Sequence, residues 1–259
     1  MPEYERNEVA VFAISYDSVE VLSAFAQEHG ITFTLLSDVG SETIKRLQLL
    51  NEHVEAQQAY YGIPETERRY EGVPYPGTFM LDESGVIVDR QFEQSYRVRP
   101  SGTALLEDLL GTTVGDAKVS DQARGPGLQA VAWLDTDVYR PQQHLRLHVA
   151  VEVEPDLHVY APPTPSGFTP LQLDLVDFDG LDAGPAPLPE GRPLTVEGLD
   201  QEFLVYEGRL QTAIPFRIEH NQGPVNLEMR VRYQACSETV CHPPGELRVR
   251  LPLQGRDPM

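Results

Sequence analysis

The chain has 259 residues, 40 of them Asp or Glu against 20 Lys or Arg, which gives a formal net charge of −20, and 41% of its residues are hydrophobic. That hydrophobic share is ample for packed cores in one or two domains and excludes a disordered chain. The charge argues against nucleic acid and anionic membrane surfaces as partners, because both would repel it.

The N-terminus, Met1 to Glu8, is charged and lacks the apolar core of a signal peptide, so export is not readable from it. Val9 to Ser15 is a compact apolar run and reads as a buried parallel strand. Asp17 or Ser18 then caps a helix with Val19, Leu22, Phe25 and Ala26 on one face, and Gly30 ends it. A second strand spans Ile31 to Leu36, and Ser41 opens a helix with Ile44, Leu47 and Leu50 on one side.

Glu52, His53 and Glu55 read as a solvated helical stretch rather than metal ligands, and the charge of Arg68 and Arg69 is offset by Glu65, Glu67 and Glu71. Thr78 to Leu81 and Val86 to Val88 form a hairpin around Glu83 and Gly85, and Ser101 to Leu110 is a final helix.

After about residue 126 the pattern becomes nearly all strands with many prolines. Gly111 to Gly127, rich in Gly, Asp, Ser and Thr, reads as a linker, which sets boundaries at 1–111, 112–126 and 127–255. Leu145, Leu147, Val149, Val151 and Val153 are the inward side of one strand. His144 and His148 share a face of it about 13 Å apart, too far for one metal, and read as surface residues with Arg146.

The two cysteines, Cys236 and Cys241, lie between two period-two strands. Leu227, Met229, Val231, Tyr233 and Ala235 alternate with Glu228, Arg230, Arg232 and Gln234 on the way in, and Leu247, Val249, Leu251 and Leu253 alternate with charged residues on the way out. An antiparallel pair with a long loop that doubles back would let the cysteines bond. Zinc fits poorly, because His242 is the one further ligand close by. The bond has two readings. It can be a structural staple, although so short a loop restrains little chain entropy, or an exchangeable pair. His242 and Arg232 could stabilise a thiolate there, and Glu238 would oppose it.

The run Arg232 to Pro244 resembles the cysteine motif of the N-terminal domain family of the thiol:disulfide interchange protein DsbD, and His158-Val159-Tyr160 and Glu202 to Gly208 fit it in the same order. The resemblance implies an immunoglobulin-like β-sandwich exchanging thiols with a thioredoxin-like partner in a periplasmic or other extracytoplasmic compartment. It implies Cys241 as the partner-facing sulfur, Cys236 as the resolving one, and Phe203, Tyr160, Tyr206 and His242 as capping or adjacent residues. The family's type member has one more residue between its cysteines, which leaves loop geometry and redox potential open.

The first half, through Val11 to Asp17, Val73 to Asp82 and Gly85 to Val88, is similar to the redoxin family, the thioredoxin-fold group of alkyl hydroperoxide reductases and thiol-specific antioxidant proteins. By that resemblance Pro76 matches a cis-proline beside the active-site sulfur. The family places a strand and a helix with its reactive cysteine before the position of Val9, whereas this sequence has no cysteine before Cys236. As it stands, this half is not a peroxidase. The expectation is a domain that has lost its first unit by truncation, with supply of that unit by another polypeptide, or conversion to a binding module, as alternatives.

No Walker loop, Gly-x-Gly-x-x-Gly fingerprint or Gly-x-Ser-x-Gly elbow occurs, so no cofactor is expected. The fold expected is an incomplete α/β thioredoxin-like domain followed by an all-β sandwich. The function expected is an electron relay through Cys236 and Cys241, and the competing one is a non-enzymatic interaction protein with a structural disulfide.

Overall fold

A computed structural model describes residues 2–51, 73–92, 99–111, 113, 115–195 and 202–257. The segment carrying Glu52, His53, Glu55, Arg68 and Arg69 lies outside these residues. The chain divides into two compact units, Met1–Arg99 with Leu105–Val114, and Pro100–Ala104 with Gly115–Met259.

In the first unit, helix α1 (Pro2–Arg6) precedes strand β1 (Phe12–Ser15), helix α2 (Val19–His29), strand β2 (Thr34–Ser37) and helix α3 (Glu42–Arg46). Strands β3 (Gly77–Leu81) and β4 (Ile87–Phe92) follow, and strand β5 (Arg99–Pro100) and helix α4 (Gly102–Leu110) span the division between the two units. Helix α2 starts and stops where its sequence says: the Ser18 hydroxyl accepts the Val21 N–H, and Gly30 closes it at φ 63°, a left-handed conformation natural to glycine.

Strands β1 and β2 pair in parallel and β3 and β4 pair antiparallel, as two separate two-stranded sheets. The expected burial of the first strand is not found, for Phe12 is 62% exposed and Ile14 also faces solvent. A strand is buried by what covers it, and among the described residues β2 is the one strand paired with β1. Helix α3 is shorter than expected; it ends at Arg46, leaving Leu47 and Leu50 beyond it, while Ile44 is buried.

The second unit is a β-sandwich. It contains β6 (Val119–Gly125), β7 (Leu128–Leu134), β8 (Val138–Tyr139), β9 (Gln143–Val153), β10 (His158–Tyr160), β11 (Gln172–Leu175) and β12 (Leu181–Ala183). It continues through β13 (Arg192–Thr195), β14 (Glu202–Tyr206), β15 (Arg209–Ile218), β16 (Pro224–Tyr233), β17 (Ala235–Cys236) and β18 (Gly245–Gly255). One sheet runs β12-β15-β9-β7-β6, a second β11-β16-β18-β8 and a third β13-β14-β10-β17.

The alternation read from the sequence is what fills the core. Leu145, Leu147, Val149, Val151 and Val153 of β9 join Leu227, Met229, Val231 and Tyr233 of β16 and Val249, Leu251 and Leu253 of β18 in one cluster. Strands β16 and β18 pair antiparallel from Pro224↔Gln254 to Tyr233↔Gly245, the pair expected on either side of the cysteines. At roughly 25 cal/mol per Å² of apolar surface removed from water, this cluster supplies most of the unit's stabilisation.

Two expectations are corrected here. Residues 112–126 are not simply a linker, because Val119–Gly125 pairs along its whole length with β7 as an outer strand. Small polar residues hid a period-two pattern whose alternate positions are half-buried. His148 is not a surface residue: it is 3% exposed and stacks on Trp133 at 5.4 Å, and burial holds its pKa below the ordinary imidazole value.

Candidate functional site

The third sheet is apolar on both faces. Along β10, Val159 and the following Ala161 point into the main core, while Tyr160 points the other way. Along β14, Tyr206 faces the main core, while Phe203 and Val205 turn away. Tyr160, Phe203, Val205 and Cys236 form a second, small core, with Phe168 and Leu194 against it. Alternation along a strand separates the two clusters.

Strand β17 delivers Cys236 to this small core. It pairs antiparallel with β10, placing His158 opposite Cys236 and Val159 opposite Ala235. The chain then turns back: Ser237 N–H donates to Val240 O at 2.8 Å, and His242 N–H donates to Ala235 O at 2.8 Å. The turn brings Cys236 and Cys241 into an isolated antiparallel bridge with Cα atoms 4.0 Å apart, and their sulfurs are bonded.

The two sulfurs sit in different environments. Cys236 is 1% exposed, whereas Cys241 lies in an exposed run with Val240, itself 67% exposed. The Tyr160 hydroxyl is 3.7 Å from Cys241 Sγ, and burial pushes this phenol's pKa up, so it stays protonated. Tyr160, Phe168 and Phe203 pack edge-on or tilted around one another at 4.9 to 5.4 Å between ring centres. Such aromatic pairs add about 0.5–1.5 kcal/mol each beyond their area.

The expected residues divide. Phe203 and Tyr160 meet the cysteines. Tyr206 does not: strand parity turns it to the opposite face, where its hydroxyl donates to Pro189 O at 2.7 Å. His242 closes the loop through its backbone and its side chain is exposed. Arg232 is engaged with Asp174 at 3.0 Å, on the outer side of β16 and away from the sulfurs. Pro76 is not cis; the cis peptide bond among the described residues joins Pro162 to Pro163. A trans X-Pro bond is the default by about 0.5–1 kcal/mol, and local sequence does not supply the tertiary contacts that would reverse it.

Two contributors went unread. Gln234 is buried, its Nε2 donates to the His242 carbonyl at 3.2 Å, and its Oε1 accepts the Thr169 N–H at 3.1 Å. It ties the cysteine loop to the loop bearing Phe168. Phe168 comes from a Pro-rich connection with no periodicity, so nothing local marks it. Gln234 occupied a position that alternation assigns to solvent.

Among the described residues no group of three or more His, Cys, Asp or Glu is placed to hold a metal ion. No helix among them is long and apolar enough to cross a membrane.

Fold and site together define a β-sandwich with a disulfide on the outer face of one sheet, one sulfur capped by aromatic rings and the other open. Residues 129–252 match the family model "Thiol:disulfide interchange protein DsbD, N-terminal", and residues 1–90 match that of the AhpC/TSA family. The chain thus carries one segment similar to the AhpC/TSA family and a second similar to DsbD N-terminal domains.

Among solved structures, the N-terminal periplasmic domain of ScsB from Proteus mirabilis is similar at 12% identity and TM-score 0.38, over 52% of this chain and 51% of that one. This chain therefore spans about half the length of that relative. The reduced DsbD N-terminal domain of Neisseria meningitidis is similar at 17% identity and TM-score 0.31, covering 53% of this chain and 86% of that one. The complex between the DsbD N-terminal and PilB N-terminal domains of the same organism gives 16% identity and TM-score 0.29, over 51% and 80%. No curated protein matches.

Proposed function

We propose that the second unit carries out thiol-disulfide exchange through Cys236 and Cys241 with a thioredoxin-like partner. The asymmetry of the pair carries this reading: one bonded sulfur is sealed in a small aromatic core and the other is open beside an exposed apolar residue. Exchange proceeds by in-line attack of a thiolate on a reachable sulfur through a mixed disulfide. Cys241 is then the sulfur the partner attacks or is attacked by, and Cys236 the resolving one. Val240 provides an apolar contact at that point, and Tyr160 can donate a hydrogen bond to a Cys241 thiolate.

On this reading the AhpC/TSA-type segment, 1–111, has no cysteine of its own to carry electrons, and its part is to bind a component of the exchange near the pair, where being on one chain raises the effective concentration. An oxidising, extracytoplasmic compartment suits a pair that is bonded at rest.

Full chain carrying Cys236→Ser, mixed with an oxidised thioredoxin-like protein, is expected to accumulate a long-lived mixed disulfide through Cys241. Cys241→Ser is expected to form far less, because the remaining thiol is buried. If both variants lose stability and neither traps a partner, the bond is a structural staple and the chain is a binding protein.

A further inference from the structure

His158 Nε2 is buried without a hydrogen-bond partner, in a residue only 5% exposed. Leaving a buried polar atom unpaired costs stability, so its retention needs a reason. His158 stands directly opposite Cys236 in the antiparallel register of β10 and β17. Opposed residues share a face and hold their Cβ atoms about 4.5–5.5 Å apart, within the span of an imidazole. Tyr160, on the same face, packs edge-on against the imidazole at 5.6 Å.

While the disulfide is closed, Cys236 has no proton to offer this nitrogen. Once the bond opens, Cys236 becomes a thiol inside an apolar cluster, where burial disfavours the thiolate that exchange requires. That thiol faces His158 across the register of β10 and β17.

We propose that His158 is the general base that takes the proton of Cys236 when this residue resolves a mixed disulfide held on Cys241. The inference rests on the exchange function above. Cys241 first attacks a disulfide, joins one half of it and releases the other half as a thiolate. The Cys236 proton then passes to His158 Nε2, the Cys236 thiolate attacks Cys241 Sγ, the Cys236–Cys241 bond forms and the second thiolate leaves. The disulfide substrate is reduced by two electrons, the cysteine pair is oxidised by two, and the imidazolium returns its proton to water.

The groups facing His158 suit a base. Cys236 approaches from β17, Tyr160 is two residues along β10, Glu207 follows β14, and Arg192 on β13 is ion-paired with Glu207. Burial holds the imidazole pKa below its ordinary value, Glu207 opposes this and Arg192 adds to it. The ring is therefore neutral at pH 7 and can accept a proton.

The reduced full chain can be oxidised by an aryl disulfide whose released thiolate is coloured, so that attack by Cys241 and resolution by Cys236 appear as successive phases. In the wild type the second phase should be nearly flat through neutral pH. In His158→Gln the first phase should be unchanged. The second should slow at least about tenfold at pH 7, rise about tenfold per pH unit, and approach the wild-type rate in alkali, where the thiol ionises unaided.

His158→Phe, which keeps the aromatic packing, should behave likewise, and melting of both oxidised variants checks folding. Should both unfold, the wild-type profile decides alone. A second phase that climbs with pH in the wild type, or one untouched by folded variants, overturns the role of His158. A wild-type chain whose reduced pair gives no second phase overturns the exchange function instead.

Discussion

The two units of this chain are written in the same alphabet of apolar strands and capped helices, yet they bury those residues very differently. In the sandwich, β9, β16 and β18 place their inward residues in one closed cluster. In the first unit, Phe12, Ile14, Phe25, Leu36, Val86 and Val88 remain exposed, and among the described residues Val240 is the large exposed apolar residue of the second unit. The difference lies in coverage. Each long sandwich strand has neighbours on both edges and a facing sheet, while among the described residues β1-β2 and β3-β4 pair with no further strand. Two-stranded sheets are at best marginal alone, so pattern creates the strand and partners create the core.

The sharpest way to break this comparison is to cut matching side chains. Leu251→Ala, at a fully buried site, is expected to cost about 2–5 kcal/mol in denaturant unfolding of the second unit. Phe25→Ala, at a half-exposed site in the first unit, should stay within about 0.5 kcal/mol. Comparable losses at both sites would mean that the first unit's apolar face is covered in solution.

A smaller effect separates the units by pH. His148 and His158 have pKa values lowered by burial, so between their unfolded value of about 6.5 and their folded values the unfolded chain binds more protons. The sandwich should therefore lose stability as pH falls below about 6.5. In the first unit Asp38 accepts the N–H groups of Thr43 and Ile44, and these bonds lower its pKa, so that contribution is lost only as pH falls below about 4. Amide hydrogen exchange at pH 7 and 5 should show reduced protection in β9 and β10 and unchanged protection in α3. His158→Gln should remove part of the sandwich's response.

The mildest change tests recognition alone. Val240→Asp should slow oxidation or reduction by a thioredoxin-like protein several-fold while leaving reaction with a small thiol nearly unchanged. Equal slowing of both would place Val240 in the loop's folding rather than at a docking contact.

Much of this site is legible in the chain because it is local. Cys236, Cys241 and the strands around them are fixed by alternation over short distances. The rest depends on parity that the sequence does not display. Phe203, Leu204, Val205 and Tyr206 are all apolar in bulk, so no polar residue says which pair meets the cysteines. The answer, Phe203 and Val205 toward the site and Leu204 and Tyr206 toward the main core, exists only because a sheet with two buried faces lies between two clusters. Phe168 arrives from a loop without period, and the strand Val119–Gly125 was masked by polar residues suited to an outer edge.

By itself the sequence determined the all-β character of the second half, the register-bearing strands around the cysteines, and the caps of helix α2. These follow from periodicity and side-chain chemistry within a few residues. Only the tertiary structure decided that Cys236 is sealed while Cys241 is open, that Tyr206 turns away, and that His158 is the residue opposite Cys236. Those outcomes come from pairing between strands far apart in the chain, which sets what each side chain faces and hence what it can do.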